Sequence, residues 1–245
     1  MPFLVKNILR GSVAALFLAT FAGCSNTHNG FTLSGRFADR ASQKVTLLYC
    51  TFHATDTIGM ATLSTDGSFS FEGNLAEPSI CVLRIGTDDL LFLLDNVEMT
   101  LQSDTFTNHS TLQIDGYQRA EHFNKAVLLD KNRIKLYNST EKELQQRITK
   151  GDTTMTVAAM HRQLAALDQL FRANLKQYVT TTTDPIIGLY LLHLLSAQQD
   201  FAYMNTQYYR LRTADSTSIY MLQFGKRMQR AQGILTTFAP NELGH

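Results

Sequence analysis

Two patterns of hydrophobic and polar residues divide the chain, and they meet near Gly116. Before Gly116, apolar residues lie in short runs that alternate with polar ones, as from Val97 to Leu101. A period of two predicts strands that bury one face. After Gly116, apolar residues recur every three or four positions in long segments rich in Leu, Ala, Gln and Arg, which predicts helices. The sequence therefore predicts an α+β protein with the strands first.

Eight short segments before Gly116 have the composition of strands. They are Phe31 to Phe37, Lys44 to Phe52, Met60 to Leu63, Ser68 to Phe71, Ser79 to Ile85, Leu90 to Leu94, Val97 to Leu101 and Thr111 to Ile114. Asp66-Gly67 indicates a tight hairpin because Gly adopts positive φ without steric cost, and Asp95-Asn96 indicates a second turn. Many short strands without helices between them favour an antiparallel β-sandwich, followed by an all-α segment.

The helical half contains one clear apolar stripe, which predicts a helix with a single buried face. Its members are Met160, Leu164, Leu167, Phe171, Leu175 and Tyr178. Asp184-Pro185 predicts another helix start, because Asp accepts from free amides and Pro presets φ. Ile186 to Leu195 is apolar nearly all round and predicts a buried helix. Asp200 and Asp215-Ser216 indicate further starts. The inner faces of those helices are predicted to use Tyr203, Tyr208, Tyr220, Phe224 and Met228.

The first residues indicate export. Lys6 and Arg10 precede an apolar run from Val13 to Ala22, which is too short to span a bilayer as a permanent helix. Ala22-Gly23-Cys24 resembles the bacterial lipoprotein box, although Phe21 stands where leucine is usual. The resemblance implies that Cys24 becomes the lipidated first residue of the mature protein. The alternative is an ordinary signal peptide cut near Ala22.

A lipidated Cys24 predicts a stable anchor in the cell envelope, because two or more acyl chains hold a protein firmly where one does not. In the Bacteroidetes lipoproteins that this start resembles, an acidic run after the cysteine accompanies export to the cell surface. No acidic cluster follows Cys24, which favours a periplasm-facing anchor in the outer membrane. The sequence thus predicts a signal peptide at 1–23, a tether at 24–30, a β-sandwich domain at 31–116, a helical domain at 117–236 and a tail at 237–245.

Composition and motifs give no sign of catalysis, cofactors, metals or nucleic acid. The net charge is +1 over 245 residues, and the most basic run, Lys131 to Lys135, is predicted to be a solvated helix face. Asp56 and Asp88-Asp89 are interpreted as turn residues, because neighbours in a strand point to opposite faces and do not share a site. Zinc-ligand spacing is absent among the histidines His53, His109, His122, His161 and His193.

Two further cysteines, Cys50 and Cys81, are too far apart in sequence to form a Cys-x-x-Cys dithiol. Both lie in apolar strand segments of a protein that is predicted to be exported, where a disulfide persists. A Cys50–Cys81 bond is therefore one possibility. Separate buried thiols are the other, because Leu48 and Leu83 surround the two sites with apolar surface.

Several small motifs occur in a fixed order along the chain. They are Gly30 to Gly35, Asp56-Thr57, Asp66 to Gly73, Phe92 to Asn96 and Ile114 to Gly116. This order resembles a domain of unknown function in Bacteroidetes lipoproteins. In that family the module commonly precedes, through a helical spacer, a thioredoxin-like domain of the thiol-disulfide reductase and AhpC/TSA group.

The resemblance extends weakly into the helical half. Asp184-Pro185 and Gly188-Leu189-Tyr190 are similar to the family's spacer, and Ala239-Pro240 stands where the thioredoxin-like domain would begin. The family's catalytic Trp-Cys-x-x-Cys segment has no counterpart, so its redox residues carry over to no position in this chain.

Two functions are expected from these observations. The favoured one is a non-catalytic envelope lipoprotein that contacts the membrane through its lipid and binds or positions an envelope protein. The alternative is the accessory N-terminal half of a periplasmic thiol-disulfide oxidoreductase whose catalytic domain is missing or lies on another chain. A third idea is a binding module for a small molecule or for a peptide added at a sheet edge.

Overall fold

The computed structural model describes residues 30–151, 154–196 and 200–238. The predicted lipidation site Cys24, nearly all of the predicted tether and the Ala239-Pro240 motif lie outside the described residues.

The strands are β1 Phe31–Phe37, β2 Lys44–Cys50, β3 Thr55–Thr62, β4 Ser68–Gly73, β5 Ser79–Ile85, β6 Asp88–Leu94, β7 Glu98–Ser103 and β8 Gln113–Asp115. The helices are α1 Gln118–Thr149, α2 Thr154–Thr181, α3 Pro185–Leu195, α4 Phe201–Arg212 and α5 Ile219–Phe238. The predicted α+β class is confirmed, and the change from strands to helices falls at Gly116.

The strands form two four-stranded sheets, with orders β4-β1-β7-β8 and β3-β2-β5-β6. The pairs are antiparallel except β1 with β7, which run parallel with Leu33 opposite Met99. The expectation of purely antiparallel pairing is wrong at this pair. A parallel neighbour needs a crossover, and here the crossover consists of the intervening strands. Alternation within each strand carries no information about such long-range pairing.

Three acidic residues differ from their predicted place in turns. Asp56 lies in β3, and Asp88 and Asp89 begin β6. The β5–β6 turn is made instead at Gly86, whose φ is +61°, a conformation that Gly adopts without strain. Asp88 pairs with Arg40 at 2.6 Å, and Asp89 pairs with Arg84 at 2.7 Å. Arg40 lies between β1 and β2, and Arg84 lies in β5, so arginines from two other segments neutralise the carboxylates of Asp88 and Asp89.

One hydrophobic cluster joins both sheets to the helices. It includes Leu33 of the first sheet, Leu83 of the second, Phe123 of α1, Leu189 of α3 and Phe224 of α5. The predicted buried helix is confirmed, because eight of the eleven residues of α3 are buried. The β region and the helices therefore fold around a shared core.

The two longest helices continue beyond this core as an antiparallel hairpin. Tyr178 of α2 donates its hydroxyl hydrogen to the carbonyl oxygen of His122 at 3.0 Å, which fixes the base of the hairpin. Further out, a separate small cluster contains Leu144 of α1 and Met160 and Leu164 of α2. We call residues 131–151 and 154–170 together the arm.

Candidate functional site

Four polar side chains tie the β region to α1 and α3. Tyr117 donates to Asp95 at 3.0 Å and accepts from Arg119 at 3.2 Å. Arg119 also donates to Asp184 at 2.6 Å, and Asp184 accepts from the backbone amides of the first turn of α3. Burial raises the pKa of Tyr117, so its hydroxyl stays protonated. These partners account for the polar atoms of the cluster, which is a structural joint between elements.

Asn96 and Asp66, which belong to the motifs singled out in the sequence, also stabilise turns. The Asn96 side chain accepts from the Leu75 amide at 2.8 Å and donates to the Leu75 carbonyl at 2.6 Å. Asp66 accepts hydrogen bonds from Ser64 and Ser68, which lower its pKa to about 2. A carboxylate with so low a pKa is a poor general base at neutral pH. The motif residues thus have local structural roles.

Tyr220 of α5 anchors the helical half into the second sheet. Its hydroxyl accepts from the Ile80 amide at 2.8 Å and donates to the Cys50 carbonyl at 2.7 Å. Cys50 and Ile80 are paired residues of β2 and β5, so the hydroxyl bridges the end of that ladder. The side chain is fully buried, and burial raises its pKa. Tyr220 was predicted only as an inner-face residue, and its bridging role was not predicted.

A second contact between the halves involves Phe52, which follows β2. Its ring stacks on His193 of α3 with centroids 5.1 Å apart. Arg227 of α5 lies 2.8 Å from His193 Nδ1 and donates to Ser196 at 3.0 Å. Burial, followed by the charge of Arg227, lowers the pKa of His193. The ring is therefore neutral and accepts from the guanidinium, which is a structural arrangement.

Of the two possibilities for Cys50 and Cys81, the structure has separate thiols and no disulfide between them. Cys50 lies opposite Ile80, while Cys81 lies opposite Tyr49. Directly opposed residues point to the same face of a sheet, so Cys50 and Ile80 share a face. Successive residues of a strand alternate between faces, so Cys81, which follows Ile80, points to the other face. Both thiols are free. Burial raises the pKa of each thiol, which disfavours the reactive thiolate.

The predicted histidines are dispersed. His53, His122 and His161 are exposed, whereas His109 in the β7–β8 loop is buried. His109 Nδ1 is 2.8 Å from Asn124 Oδ1, and the Asn124 amide donates to the His109 carbonyl at 3.1 Å. Because the Asn124 oxygen faces Nδ1 and can only accept, Nδ1 carries the hydrogen of the neutral ring. Nε2 then has no hydrogen and can only accept. Burial lowers the pKa of His109 to about 4. In the described ranges, no three His, Cys, Asp or Glu side chains are grouped to hold a metal ion.

The strongest candidate for a functional surface is an apolar groove between α1 and α2 at the base of the arm. We call it the arm groove, and its volume is about 160 Å³. Six hydrophobic side chains line it: Leu129, Leu136, Tyr137, Leu167, Leu170 and Phe171. Leu136 is 49% exposed and Leu170 is 59% exposed. Large apolar side chains exposed side by side around a groove are typical of protein contact sites.

Ion pairs within the chain surround the arm groove. Arg133 pairs with Asp130 at 3.1 Å and lies 4.7 Å from the centre of the Phe171 ring. Arg172 pairs with Asp168. Each positive group at the rim is therefore matched by a carboxylate of the same helix, and the groove presents apolar surface without excess charge.

The arm groove was not predicted from the sequence. Lys131 and Lys135 are exposed, as expected for a solvated face. Leu136 and Tyr137, directly after that basic run, were the available signal, because they place apolar residues on a helix with little core to cover them. Leu167, predicted to lie on the buried face of its helix, is half-buried and lines the groove. No helix in the described ranges has the length and apolarity of a membrane span.

Comparison with known proteins identifies the β region. No curated protein matches this chain. A family model described as a domain of unknown function, DUF4369, matches residues 31–123. The matched segment contains the eight strands and the beginning of α1, as far as the buried Phe123. The predicted resemblance to a domain of unknown function is therefore confirmed for this segment of the chain.

Proposed function

We propose that this chain is a non-catalytic, lipid-anchored envelope protein that binds a protein partner through the arm groove. The observation that carries the proposal is the exposure of Leu136 and Leu170 beside an open apolar groove. Leaving each of these half-exposed leucines in water costs about 1 kcal/mol relative to complete burial. A partner that covers them regains this free energy. The polar clusters described above have structural partners, which supports binding over chemistry.

The proposed anchor is a lipid on Cys24. It holds the chain in the outer membrane, on the side that faces the periplasm. Its support is the basic start, the apolar run and the Ala22-Gly23 pair before the cysteine. The order of the motifs, which resembles that of Bacteroidetes lipoproteins, supports the same location.

We further propose that the two sheets pack face to face as a β-sandwich. Support comes from the single cluster that contains buried residues of both sheets. A Cβ atom added at Gly59 of β3 would lie 3.1 Å from the Phe71 ring of β4, and these strands belong to different sheets. Such a sandwich is a rigid base for the helices.

The geometry supports a positioning role. Gly30, where the described chain begins, lies at the start of β1 and next to Gly73. Gly116, just before α1, lies next to Glu98 at the start of β7. Because β1 and β7 run parallel, α1 starts at the same end of the molecule as Gly30. A helix of 32 residues is about 48 Å long. The far end of the arm is therefore remote from the proposed anchor.

The alternative function is that of an accessory module to a thioredoxin-like enzyme. The match over residues 31–123 favours it, because the similar module commonly precedes such an enzyme domain. In that case the arm groove holds the enzyme domain, and this chain supplies no redox residue.

A site-specific photo-crosslinking experiment tests the proposed function. Benzoylphenylalanine replaces Leu136 in the full-length chain. Lys135, an exposed residue of α1 that does not line the groove, is the matched control position. We expect protein adducts after illumination from position 136 only. Equal adducts from both positions, or none from position 136, would contradict the proposal.

A further inference from the structure

We propose that the occupant of the arm groove is a second copy of this chain, so that two arms pair about a two-fold axis into a four-helix bundle. The inference rests on the proposed function, because it names the protein that covers the same groove.

The arm has too little core of its own. Its outer part buries Leu144, Met160 and Leu164 between α1 and α2. Among the arm side chains that the structure describes, the exposed large hydrophobic ones are Ile134, Leu136, Tyr137, Ile148 and Leu170. Leu136, Tyr137 and Leu170 line the groove. Two helices bury only the surfaces between them, whereas two helical hairpins packed together also bury the groove on one side of each.

The shape of the groove suits self-pairing. Leu170 and Leu136 are exposed at its edge, and the groove has a volume of about 160 Å³. A cavity of about 150 Å³ accommodates benzene, so a leucine side chain fits. Under two-fold symmetry the same patch supplies both the inserted side chain and the receiving groove, and the contact occurs twice.

The charges at the groove neither repel a second copy nor select a charged partner. Asp130 pairs with Arg133, and Asp168 pairs with Arg172, so the rim is neutral. Asn132 and Asn174 also line the groove. An amide both donates and accepts hydrogen bonds, so Asn132 of one copy is complementary to Asn174 of the other.

The face of the arm has the size of a stable interface. The α1 portion of the arm is about 30 Å long, and two adjacent helices are about 20 Å wide. The resulting face has a projected area of about 600 Å². Its accessible surface area is larger, because side chains protrude from it. Specific interfaces bury about 800 Å² of accessible surface per partner, so pairing along the arm is sufficient for a dimer.

Crosslinking between differently tagged copies tests the inference directly. Two epitope-tagged forms of the full chain are produced together, with benzoylphenylalanine in place of Leu170 or, as control, of Lys135. We expect an adduct of twice the chain mass that carries both tags, from position 170 only. Adducts with another protein alone would overturn self-pairing but leave the proposed function standing. No adduct from position 170, together with none from 136, would overturn both.

Sedimentation of the purified full-length chain in detergent gives a second readout. We expect a dimer. Leu170→Glu should raise its dissociation constant by about tenfold or more, because the two-fold symmetry places a charge in each of two apolar contacts. Lys135→Glu is the matched control and should leave the dimer unchanged. Circular dichroism checks that both variants keep their helices. A monomeric wild-type chain at micromolar concentration would overturn the inference.

Discussion

His109 and Asn124 form a buried polar pair between the β7–β8 loop and α1, and this pair makes folding depend on pH. The pKa of His109 is about 4 in the folded chain, against about 6.5 for an unperturbed histidine. The folded state therefore binds fewer protons than the unfolded state between these values. The stability that the neutral ring contributes is fully present above about pH 6.5 and is lost as the pH falls towards 4.

We predict that His109→Gln reduces the pH dependence of stability. Between pH 7 and 4.5 the wild-type free energy of unfolding should fall by about 2 kcal/mol more than that of the variant. Urea unfolding at both values measures the difference. His161→Gln, at an exposed position, is the control and should behave as wild type. If the free energy of unfolding fell equally with pH in wild type and in His109→Gln, the ring would not titrate in this range.

Asp184 combines a helix cap with an ion pair, and two substitutions separate the contributions. Its Oδ1 accepts from the Ile186 and Ile187 amides at 3.0 and 3.1 Å, while Oδ2 accepts from Arg119. Asp184→Asn keeps a capping oxygen and should cost less than about 1 kcal/mol, because the ion pair is partly exposed. Asp184→Ala also loses the cap, worth about 1 kcal/mol more. Equal losses in urea unfolding would contradict this division.

At the scale of elements, the Tyr220 hydroxyl is a buried hydrogen-bonded link between α5 and the second sheet. Removing it in Tyr220→Phe leaves the Ile80 amide and the Cys50 carbonyl without their partner. We expect a loss of about 1 to 3 kcal/mol in the free energy of unfolding. Tyr209→Phe is the matched control, since Tyr209 is 56% exposed, and it should change little. If the two variants were equally stable, the hydroxyl would not be a significant link between sheet and helix.

At the scale of the whole molecule, the lipid anchor proposed at Cys24 leads to a prediction about where the protein resides. We predict that Cys24→Ser abolishes lipidation and leaves the protein soluble or unprocessed. Mass spectrometry of the mature N-terminus and detergent partitioning measure this, with Cys50→Ser as a control that should keep the lipid. An acylated Cys24→Ser protein that still partitions into detergent would refute the lipoprotein box.

The whole chain should also lack thiol-disulfide exchange activity. Exchange requires an accessible thiolate, whereas burial raises the thiol pKa of Cys50 and Cys81 and their register separates them. Insulin reduction by the purified full-length chain should not exceed the dithiothreitol background. Turnover above background that disappears in Cys50→Ala or Cys81→Ala would instead support the redox alternative.

The sequence by itself determined the class and most local structure. Alternation predicted the strands because a period of two follows from the backbone of a strand. The cap at Asp184 and the buried helix after it were predicted because each depends on neighbouring residues. The turn at Asp66-Gly67 was predicted for the same reason, since Gly67 has a φ of +83°. The hairpin expected there is wrong, because β3 and β4 belong to different sheets. Such features need no knowledge of the rest of the chain.

Tertiary structure alone decided which elements meet. The parallel pairing of β1 with β7, the opposite faces of Cys50 and Cys81, and the Tyr220 bridge depend on contacts between residues far apart in sequence. The arm groove is the clearest case, since Leu136 of α1 and Leu170 of α2 have the same hydrophobicity as core residues. Periodicity shows that a helix has an apolar side, but only the packed chain shows how much of that side remains uncovered.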